Sequence, residues 1–421
     1  MFVFATWEHL TCQKMNQKNN SNKILFLQST FNRKCFFCTF KRQKINMSKL
    51  PHVGTSIFTV MSLMATEYNA INLSQGFPNF PVDKRLTDIV ARLAHENVHQ
   101  YTPMSGFPPL LDKIAKLTHK SYQRTVNPKE EIIVTAGATE GIFATIQALV
   151  NANEEVIILD PSYDCYEAPI LLSSAKPVRV SLKDDFTPNW ETIFEATNVH
   201  TKLIIINNPH NPTGKMWKEE DFQQLEKLAT SFPNLLILSD EVYEYITFER
   251  PNISIHHRPK LWNRSIAVSS FGKSFHITGW KIGYVIAPKH LVKEIKKVHQ
   301  FLVFSVNSIS QIAISEYLDV VDVSSLGNFY QQKRDFFQNL LKETKLELLP
   351  CEGTYFQVAS YENISNESDI AFTKRLVAEF GVATIPISTF YANGKDTKCI
   401  RFCFAKDDAT LIEAAERLKK L

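Results

Sequence analysis

The 421-residue sequence has little glycine, no long apolar run and only a small net charge. No uninterrupted apolar stretch approaches the ~20 residues that a membrane-spanning helix needs, so a transmembrane protein is excluded and no membrane partner is expected. The formal net charge is +4, with 44% hydrophobic and 21% charged residues. This profile is typical of ordinary globular proteins, and the length indicates two or three domains.

Cysteine is sparse, and its positions do not indicate a disulfide framework. The seven residues are odd in number and irregularly spaced, which favours reduced thiols and a cytoplasmic location. Cys35 and Cys38 have the spacing of half a zinc site, but no second pair with that spacing follows, so no metal site is predicted. The cysteines are Cys12, Cys35, Cys38, Cys165, Cys351, Cys399 and Cys403.

The first 46 residues form a basic leader. Eight Lys and Arg stand against a single acid, Glu8, so the leader carries +7 and residues 47–421 carry −3. Because the basic residues do not belong to the body, a nucleic-acid partner is not expected. A targeting peptide, a disordered tail and an upstream extension of a frame that starts at Met47 are the alternatives. We favour the last two, so the leader is expected to be disordered or outside the fold.

The body of the chain alternates apolar, strand-like runs with segments of helical spacing, such as 141–151 and 219–230. This alternation predicts a mostly parallel sheet with helices on both faces. From about residue 296 the strand-like runs are shorter and the pattern of helices and strands differs, which indicates a second, smaller α/β domain. The predicted strands are 131–135, 156–159, 203–207, 235–239 and 265–269.

Only 13 glycines occur, and most of them fall in short motifs. Glycine is used where the backbone takes a positive φ or approaches another group closely, so this clustering marks backbone that has to fit a ligand. The motif glycines are Gly76, Gly106, Gly137, Gly141, Gly214, Gly272, Gly279, Gly283 and Gly353.

Nine motifs follow one another in a characteristic order and spacing. They are NLSQGFP (72–78), QYT (100–102), TAGATEG (135–141), DPSY (160–163), NNPHNPTG (207–214), SDEVY (239–243), SSFGK (269–273), TGWKIG (278–283) and IRF (400–402). Together they resemble the class I/II aminotransferases of fold type I, which depend on pyridoxal 5'-phosphate. The resemblance covers residues 54–421.

The resemblance implies the α/β architecture of a fold type I pyridoxal-phosphate-dependent transferase. A large domain would contain a mostly parallel seven-stranded sheet, and a smaller α/β domain would follow it. We predict a leader at 1–46, an N-terminal arm and part of the small domain at 47–85, the large cofactor-binding domain at 86–295 and the small domain at 296–421.

Lys273 and Asp240 are the candidate catalytic residues at strand ends. An amine such as that of Lys273 forms a Schiff base with the cofactor aldehyde and, once freed, moves a proton at the substrate Cα. An arbitrary lysine would lie on the surface, but the flanking motifs favour the catalytic role. A buried Asp240 would keep the cofactor's ring nitrogen protonated, although Asp at a strand end is also a common helix N-cap.

Three further residues are expected around the cofactor ring. Tyr243, also assigned as catalytic, and Asn211 have the positions where the family places hydrogen-bond donors to the phenolic oxygen. Tyr163 has the position of an aromatic ring that stacks on the cofactor. Asn211 could also serve as an ordinary turn residue, and Tyr163 as a core residue.

The cofactor phosphate is expected at the start of the helix after Gly137, Ala138 and Thr139. A helix N-terminus offers free N–H groups and a positive dipole to an anion. Ser270 would add a hydroxyl and Lys281 a cation. Many relatives carry Arg in place of Lys281, and a lysine cannot make the bidentate contact. Lysine here is found in the kynurenine aminotransferase and glutamine transaminase K subgroup.

Arg401 is the candidate partner of the substrate α-carboxylate, because a guanidinium binds carboxylates bidentately. A surface ion pair is its alternative role. The backbone of Gly76 would complete that subsite. The resemblance further implies a homodimer with shared active sites, in which Tyr101 reaches the phosphate of the neighbouring subunit.

Phe77, Tyr101 and Phe304 are candidates for an apolar substrate wall, although each could also be core packing. Such a wall suits Met, Phe, Tyr, Leu, Gln or kynurenine side chains, because apolar pockets discriminate weakly among similar sizes. No Lys or Arg in the motifs is assigned to a second substrate carboxylate. Longer strings at 54–59, 100–104, 298–300, 304–307 and 350–356 resemble the methionine aminotransferase branch.

We therefore predict an aminotransferase that moves the amino group of methionine and aromatic amino acids to a 2-oxo acid by a ping-pong mechanism. Glutamine and kynurenine are further candidate donors. A β-lyase acting on cysteine S-conjugates or cystathionine-type substrates is the nearest alternative, because the same cofactor chemistry serves both. A cofactor-binding regulator without turnover is disfavoured by the retention of Lys273, Asp240 and Arg401.

Overall fold

The apolar runs form the strands of a central sheet, as predicted, and they differ from the predicted bounds by two residues at most. The computed structural model describes residues 48–421. The predictions for the basic leader and for Cys35 and Cys38 fall outside these residues. The strands are β1 (Ile71–Asn72), β2 (Ile132–Thr135), β3 (Glu155–Asp160), β4 (Lys176–Ser181), β5 (Thr201–Asn207), β6 (Leu236–Asp240), β7 (Ser265–Ser270), β8 (Gly283–Ile286), β9 (Glu347–Leu348), β10 (Phe356–Ser360), β11 (Val382–Ala383), β12 (Ile385–Pro386) and β13 (Cys399–Cys403).

Several helices begin at residues whose side chains cap the free backbone N–H groups. Asn307, Ser368 and Asp407 each accept a hydrogen bond from the N–H three residues ahead, which stabilises the helix start. The α-helices are α1 (Ile57–Glu67), α2 (Lys84–Leu93), α3 (Pro108–Tyr122), α4 (Pro128–Glu131), α5 (Ala138–Leu149), α6 (Glu167–Leu172), α7 (Trp190–Ala196), α8 (Glu219–Ser231), α9 (Phe271–Ser274), α10 (Lys289–Leu302), α11 (Ser308–Tyr317), α12 (Ser325–Leu341), α13 (Asp369–Phe380) and α14 (Asp408–Leu418). Short 3₁₀ helices span Ile255–His257, Trp262–Arg264, Thr278–Trp280 and Ile387–Phe390.

The central sheet has seven strands in the order β2-β8-β7-β6-β5-β3-β4. Strand β8 runs antiparallel to both of its neighbours, and every other pair is parallel. This arrangement confirms the predicted mostly parallel seven-stranded sheet.

Both faces of this sheet are covered by helices. Successive side chains of a strand point to opposite faces. In β5, Leu203 and Ile205 belong to a core shared with α5 and α10, whereas Ile204 and Ile206 belong to a core shared with α8. Burial on both sides explains why the strand sequences are continuously apolar rather than alternating.

A second, antiparallel sheet has the order β12-β13-β10-β9. Side chains of α12 and α14 share one core with it, and side chains of α1 and α13 share another. The short strand β1 pairs in parallel with β11, which brings an early segment to this part of the chain. Residues 49–421 form one compact unit, and the predicted domain boundaries within it stay predictions.

No helix within residues 48–421 is both long enough and apolar enough to cross a membrane. Over the same part of the chain, no group of three or more His, Cys, Asp or Glu side chains is arranged to hold a metal ion. The cysteines there, Cys165, Cys351, Cys399 and Cys403, are free thiols.

Candidate active site

A cavity of about 360 Å³ opens at the carboxyl ends of β5, β6 and β7. Ligands of open parallel sheets bind at this edge, because the loops that follow neighbouring strands converge there. All but three of the residues predicted for the site line this cavity. The predicted residues that line it are Gly76, Gly137, Ala138, Thr139, Tyr163, Asn211, Asp240, Tyr243, Ser270, Lys273, Lys281 and Arg401.

Asp240 is the last residue of β6 and is buried. Tyr166 Oη donates a hydrogen bond to Asp240 Oδ2 at 2.6 Å, and the backbone N–H of Val242 lies 3.3 Å from Oδ1. Burial raises the pKa of Asp240 to about 6, although both donors oppose the rise. No α-helix begins directly after Asp240, since turns follow it, so the helix N-cap alternative does not apply.

Lys273 lies in the short helix α9, which follows β7 directly. Its Nζ donates to the backbone oxygen of Gly76 at 3.3 Å and lies 5.7 Å from the ring centroids of Tyr243 and Tyr355. Burial is the main cause that lowers the pKa of Lys273 to about 8, and the nearby Arg401 charge acts in the same direction. The amine is therefore an interior group that loses its proton far more readily than a surface lysine.

Helix α5 begins at the cavity, and Gly137 is its N-cap residue with a φ of +76°. A Cβ on Gly137 would lie 3.2 Å from Lys281 Nζ, so the ammonium group stands directly beside the helix start. Ser270 lines the same cavity. Free N–H groups, a cation and a hydroxyl thus meet at one end of the site, which is the chemistry that binds a phosphate.

A buried contact that the sequence did not reveal supports this helix start. His299 in α10 places Nδ1 3.0 Å from Glu140 Oε1 and donates from Nε2 to the backbone oxygen of Met104 at 3.1 Å. The other oxygen of Glu140 accepts from the backbone N–H of Ala136. The only signal in the sequence was that His299 and Met104 fall in two of the strings that resemble relatives.

Arg401 lies in β13 and is almost fully buried. Its Nη1 donates to Asn211 Oδ1 at 2.6 Å and its Nη2 to the backbone oxygen of Ser74 at 3.3 Å. Its Nε is buried without a hydrogen-bond partner, and no carboxylate among the described residues forms an ion pair with it. Burial lowers the pKa of Arg401 to about 10. A buried cation without an anion is costly, so this side chain is prepared for an anionic ligand.

Asn211 and Tyr243 present donors to the cavity. Because Asn211 Oδ1 accepts from Arg401, its Nδ2 is the atom left to donate. Burial raises the pKa of Tyr243, so its phenol keeps its proton. Tyr163 also lines the cavity, and its ring meets Tyr166 edge to face at 6.1 Å between centroids.

Phe77, Tyr101 and Phe304 do not line the cavity within this chain. Tyr101 is 81% exposed and Phe304 47% exposed, and their rings meet edge to face with centroids 5.4 Å apart. The loop that carries Tyr101 is held by Ser308, which donates to the backbone oxygen of Gln100 at 2.6 Å. Phe77 is 44% exposed and lies under Lys406. Their roles at the site stay predictions.

The apolar wall within this chain comes from residues that the sequence analysis did not assign. Phe58 and Phe356 line the cavity, and the Phe356 ring centroid lies 3.8 Å from the Arg401 guanidinium carbon. Asp164 lines it as well. Phe58 and Phe356 belong to the strings 54–59 and 350–356, so their position in those strings was the available signal.

The residues present fit a phosphorylated pyridine aldehyde such as pyridoxal phosphate. The missing Cβ of Gly137 leaves room beside Lys281 for an anion. The buried Asp240 carboxylate suits a protonated ring nitrogen, and the Lys273 amine suits an aldehyde. The unpartnered Nε of Arg401 remains for a carboxylate of the substrate.

Comparison with known proteins identifies the family of this chain. The family model for aminotransferase class I and II matches residues 68–418. A methionine aminotransferase of Escherichia coli (strain K12) is 44% identical over 90% of this chain and 98% of its own length. A kynurenine–oxoglutarate transaminase of Dictyostelium discoideum is 34% identical over 91% of this chain and 97% of its own.

Solved structures show the same relationship. The crystal structure of YbdL from Escherichia coli, described with a methionine aminotransferase function, has a TM-score of 0.87 and 44% identity over 90% of this chain and 100% of that one. An N-succinyldiaminopimelate aminotransferase from Mycobacterium tuberculosis has a TM-score of 0.85 and 32% identity over 89% of this chain and 99% of that one. The chain therefore belongs to the class I and II aminotransferases and is a pyridoxal-phosphate-dependent aminotransferase of fold type I.

Proposed function

We propose that this aminotransferase takes the amino group of methionine and of aromatic amino acids and passes it to a 2-oxo acid in a ping-pong reaction. Glutamine and kynurenine are further donors. The observation that carries the proposal is the buried pair of Arg401, a cation without a carboxylate partner among the described residues, and Lys273, an amine with a lowered pKa. An α-amino acid has the carboxylate and the α-proton that these two groups would serve.

Pyridoxal phosphate, when bound, supplies an aldehyde that condenses with amines and a ring that takes up the electrons of the substrate Cα–H bond. Arg401 binds the α-carboxylate and, with the backbone of Gly76, orients the substrate. Lys273 Nζ removes the proton at the substrate Cα and later returns a proton, since an amine with a pKa near 8 suits both directions near neutral pH.

The remaining side chains hold the ring and the phosphate in place. Asp240 keeps a proton on the ring nitrogen, and Tyr166 fixes its carboxylate through the 2.6 Å hydrogen bond. Asn211 Nδ2 and the Tyr243 hydroxyl would donate to the phenolic oxygen, and Tyr163 would pack against the ring. The start of α5, Ser270 and Lys281 bind the phosphate. These assignments follow the resemblance to the family, and the position of each residue in the cavity lining supports them.

The substrate preference is supported by the apolar wall and by the relatives. Phe58 and Phe356 offer apolar surface next to Arg401, which suits thioether and aromatic side chains. Methionine and kynurenine are the substrates that the names of two relatives give for those proteins. Neither of these two relatives is named as a lyase, so the β-lyase alternative gains no support.

A homodimer with shared active sites completes the proposal. Tyr101 and Phe304 form an exposed aromatic pair outside the cavity, and exposed aromatic side chains are typical of association surfaces. In a dimer, Tyr101 would reach the neighbour's phosphate, and Phe304 and Phe77 would extend the substrate wall. The free thiols are in keeping with a reducing compartment, and we place the enzyme in the cytoplasm.

Replacement of Lys273 tests the reaction itself. In the purified enzyme, methionine added without an acceptor should abolish the visible absorption band of the bound cofactor, and a 2-oxo acid should restore it. Lys273→Ala should slow this change by about 10²–10⁴-fold, because the variant lacks the group that moves the α-proton. Lys293→Ala, an exposed lysine in α10, serves as the control and should react like the wild type. If the wild-type enzyme keeps its band when methionine is added and also when phenylalanine is added, the proposed function is contradicted.

The pKa of Lys273 predicts how cofactor uptake depends on pH. Only the neutral amine attacks an aldehyde, so the rate at which cofactor-free enzyme binds pyridoxal phosphate covalently should rise up to a pH of about 8 and then level off. A lysine with an ordinary pKa of about 10.4 would show a rise that continues past pH 9. Stopped-flow absorbance gives the rate, and a small free amine under the same conditions corrects for the cofactor's own titration.

Gly283 should be needed for the phosphate end of the site. A Cβ there would lie 2.7 Å from the backbone oxygen of Ser269 and 2.8 Å from the backbone nitrogen of Ala138, so Gly283→Ala must displace the helix start. We expect the dissociation constant for pyridoxal phosphate to increase by about 10- to 100-fold, the size of a lost hydrogen bond to a charged group. Gly279→Ala is the matched control, since its Cβ would meet nothing within 4 Å. Equal binding by both variants in a titration of cofactor-free protein would disprove the assignment.

Subunit complementation tests the shared site. Lys273→Ala and Tyr101→Ala should each be nearly inactive alone, but a hybrid dimer has one site with both residues intact. When equal amounts of the two variants exchange subunits at random, about half of the dimers are hybrids with one intact site each. The mixture should therefore recover about a quarter of the wild-type activity. Each variant taken through the same exchange with itself is the control. A mixture that is no more active than the two variants measured separately would argue against a site built from two subunits.

A further inference from the structure

His299 and Glu140 form a buried pair between helices α10 and α5, and none of the roles above uses its charge. His299 is fully buried, and Glu140 lies in the first turn of α5, which begins at the cavity. The imidazole Nδ1 lies 3.0 Å from Glu140 Oε1, and Nε2 lies 3.1 Å from the backbone oxygen of Met104. Glu140 Oε2 accepts from the backbone N–H of Ala136 at 3.1 Å. The pair is thus attached to the residue that precedes the N-cap Gly137.

The hydrogen bonds fix the number of protons that this pair holds. A backbone oxygen can only accept, so Nε2 of His299 carries a proton. The contact between Nδ1 and Glu140 Oε1 needs a second proton, because a bare ring nitrogen and a carboxylate would present lone pairs to each other. Oε2 already accepts from an N–H group, which suits the ionised carboxylate, so the second proton belongs to Nδ1. His299 is therefore an imidazolium paired with a carboxylate, and the pair is neutral as a whole.

This neutrality determines the charge that a phosphate meets at the start of α5. Lys281 Nζ stands beside Gly137, whereas the Glu140 carboxylate, three residues further on, would oppose a phosphate. No Lys or Arg within residues 48–421 forms an ion pair with Glu140, and His299 is its cationic partner. Without the imidazolium, the carboxylate would cancel the charge of Lys281 in a buried region where charges interact strongly. With it, the positive charges of Lys281 and of the helix dipole remain for the anion.

We propose that His299 is a positioning residue for the cofactor phosphate and acts through Glu140: its imidazolium neutralises that carboxylate and holds the start of α5 in place. This inference rests on the phosphate site of the proposed function and deepens it, because it names a charge that the site needs outside the cavity lining. The bond to Met104 fixes the orientation of the ring. Removal of the positive charge should therefore weaken the binding of the phosphate and leave the binding of the pyridine ring unchanged.

Two ligands separate the phosphate from the rest of the cofactor. Pyridoxamine 5'-phosphate has no aldehyde, so its binding needs no covalent bond to Lys273, and pyridoxamine is the same compound without the phosphate. Each is titrated into the full-length cofactor-free protein, and calorimetry gives the Kd. His299→Gln should raise the Kd for pyridoxamine 5'-phosphate by about 10- to 100-fold and that for pyridoxamine by less than about twofold, because a buried carboxylate loses its cationic partner beside the phosphate alone.

Two further variants serve as controls. His290→Gln makes the same change at an exposed histidine of α10 and should leave both Kd values as in the wild type. The double variant with Glu140→Gln and His299→Gln removes both charges of the pair. It should bind pyridoxamine 5'-phosphate at least about fivefold more tightly than His299→Gln, because the uncompensated carboxylate is gone.

Four results would overturn the inference. His299→Gln could bind pyridoxamine 5'-phosphate like the wild type, it could weaken both ligands alike, or the double variant could bind as weakly as the single one. If the wild type binds the two ligands equally well, the start of α5 holds no phosphate, and the proposed phosphate site fails as well. If His299→Gln does not fold, the double variant decides, and a Kd for pyridoxamine 5'-phosphate more than about tenfold above that of the wild type overturns the inference. The reaction with methionine is not part of these titrations, so the proposed transamination is judged separately.

Discussion

Asn207 and Asp240 pair across β5 and β6, Asp240 pairs with Val268 of β7, and Ser270 pairs with Gly283 of β8. This register places the ends of neighbouring strands side by side at one edge of the sheet. Because side chains alternate between the two faces, a slip of a single residue would turn Asp240 away from the cavity. The positions of the groups that follow, Lys273 among them, depend on this pairing.

Burial of charge is the second constraint on the site. It raises the pKa of Asp240 to about 6 and lowers that of Lys273 to about 8, so an acid and a base both move toward neutrality. Groups with such values exchange protons readily near neutral pH. Burial lowers the pKa of Arg401 too, but only to about 10, so it remains charged near neutral pH and serves for binding rather than for proton transfer. The same low-polarity interior thus produces two different kinds of residue.

The sheet and most of the cavity lining could be predicted from the sequence, for physical reasons. Strands buried on both faces must be apolar throughout, so runs such as 203–207 and 235–239 mark them without any knowledge of the fold. Motifs at strand ends meet because parallel strands end at one edge. The resemblance of the ordered motifs to a known family, rather than this geometry, assigned residues as distant as Gly76 and Arg401 to a single site.

Contacts between distant segments could not be predicted in this way. Tyr166 lies 74 residues before Asp240, and Glu140 lies 159 residues before His299, and no periodicity links either pair. Residue type also does not reveal on which side of a loop an aromatic ring lies. Tyr101 and Phe304 have the same aromatic character as Phe58 and Phe356, and only the folded chain shows which pair lines the cavity.

The hydrogen bond between Arg401 and Ser74 joins residues 327 positions apart, and Gly76 in the same early segment accepts from Lys273 and Tyr355. Contacts over such distances form late, because the chain between them must be ordered before they repay the entropy of closure. The seven strands of the central sheet lie within residues 132–286, so their contacts close shorter stretches of chain and can form earlier. Newly made protein would then place the residues that hold the cofactor before it completes the subsite of Arg401 and Gly76, so the capacity to capture the cofactor would come before the capacity to bind an amino acid.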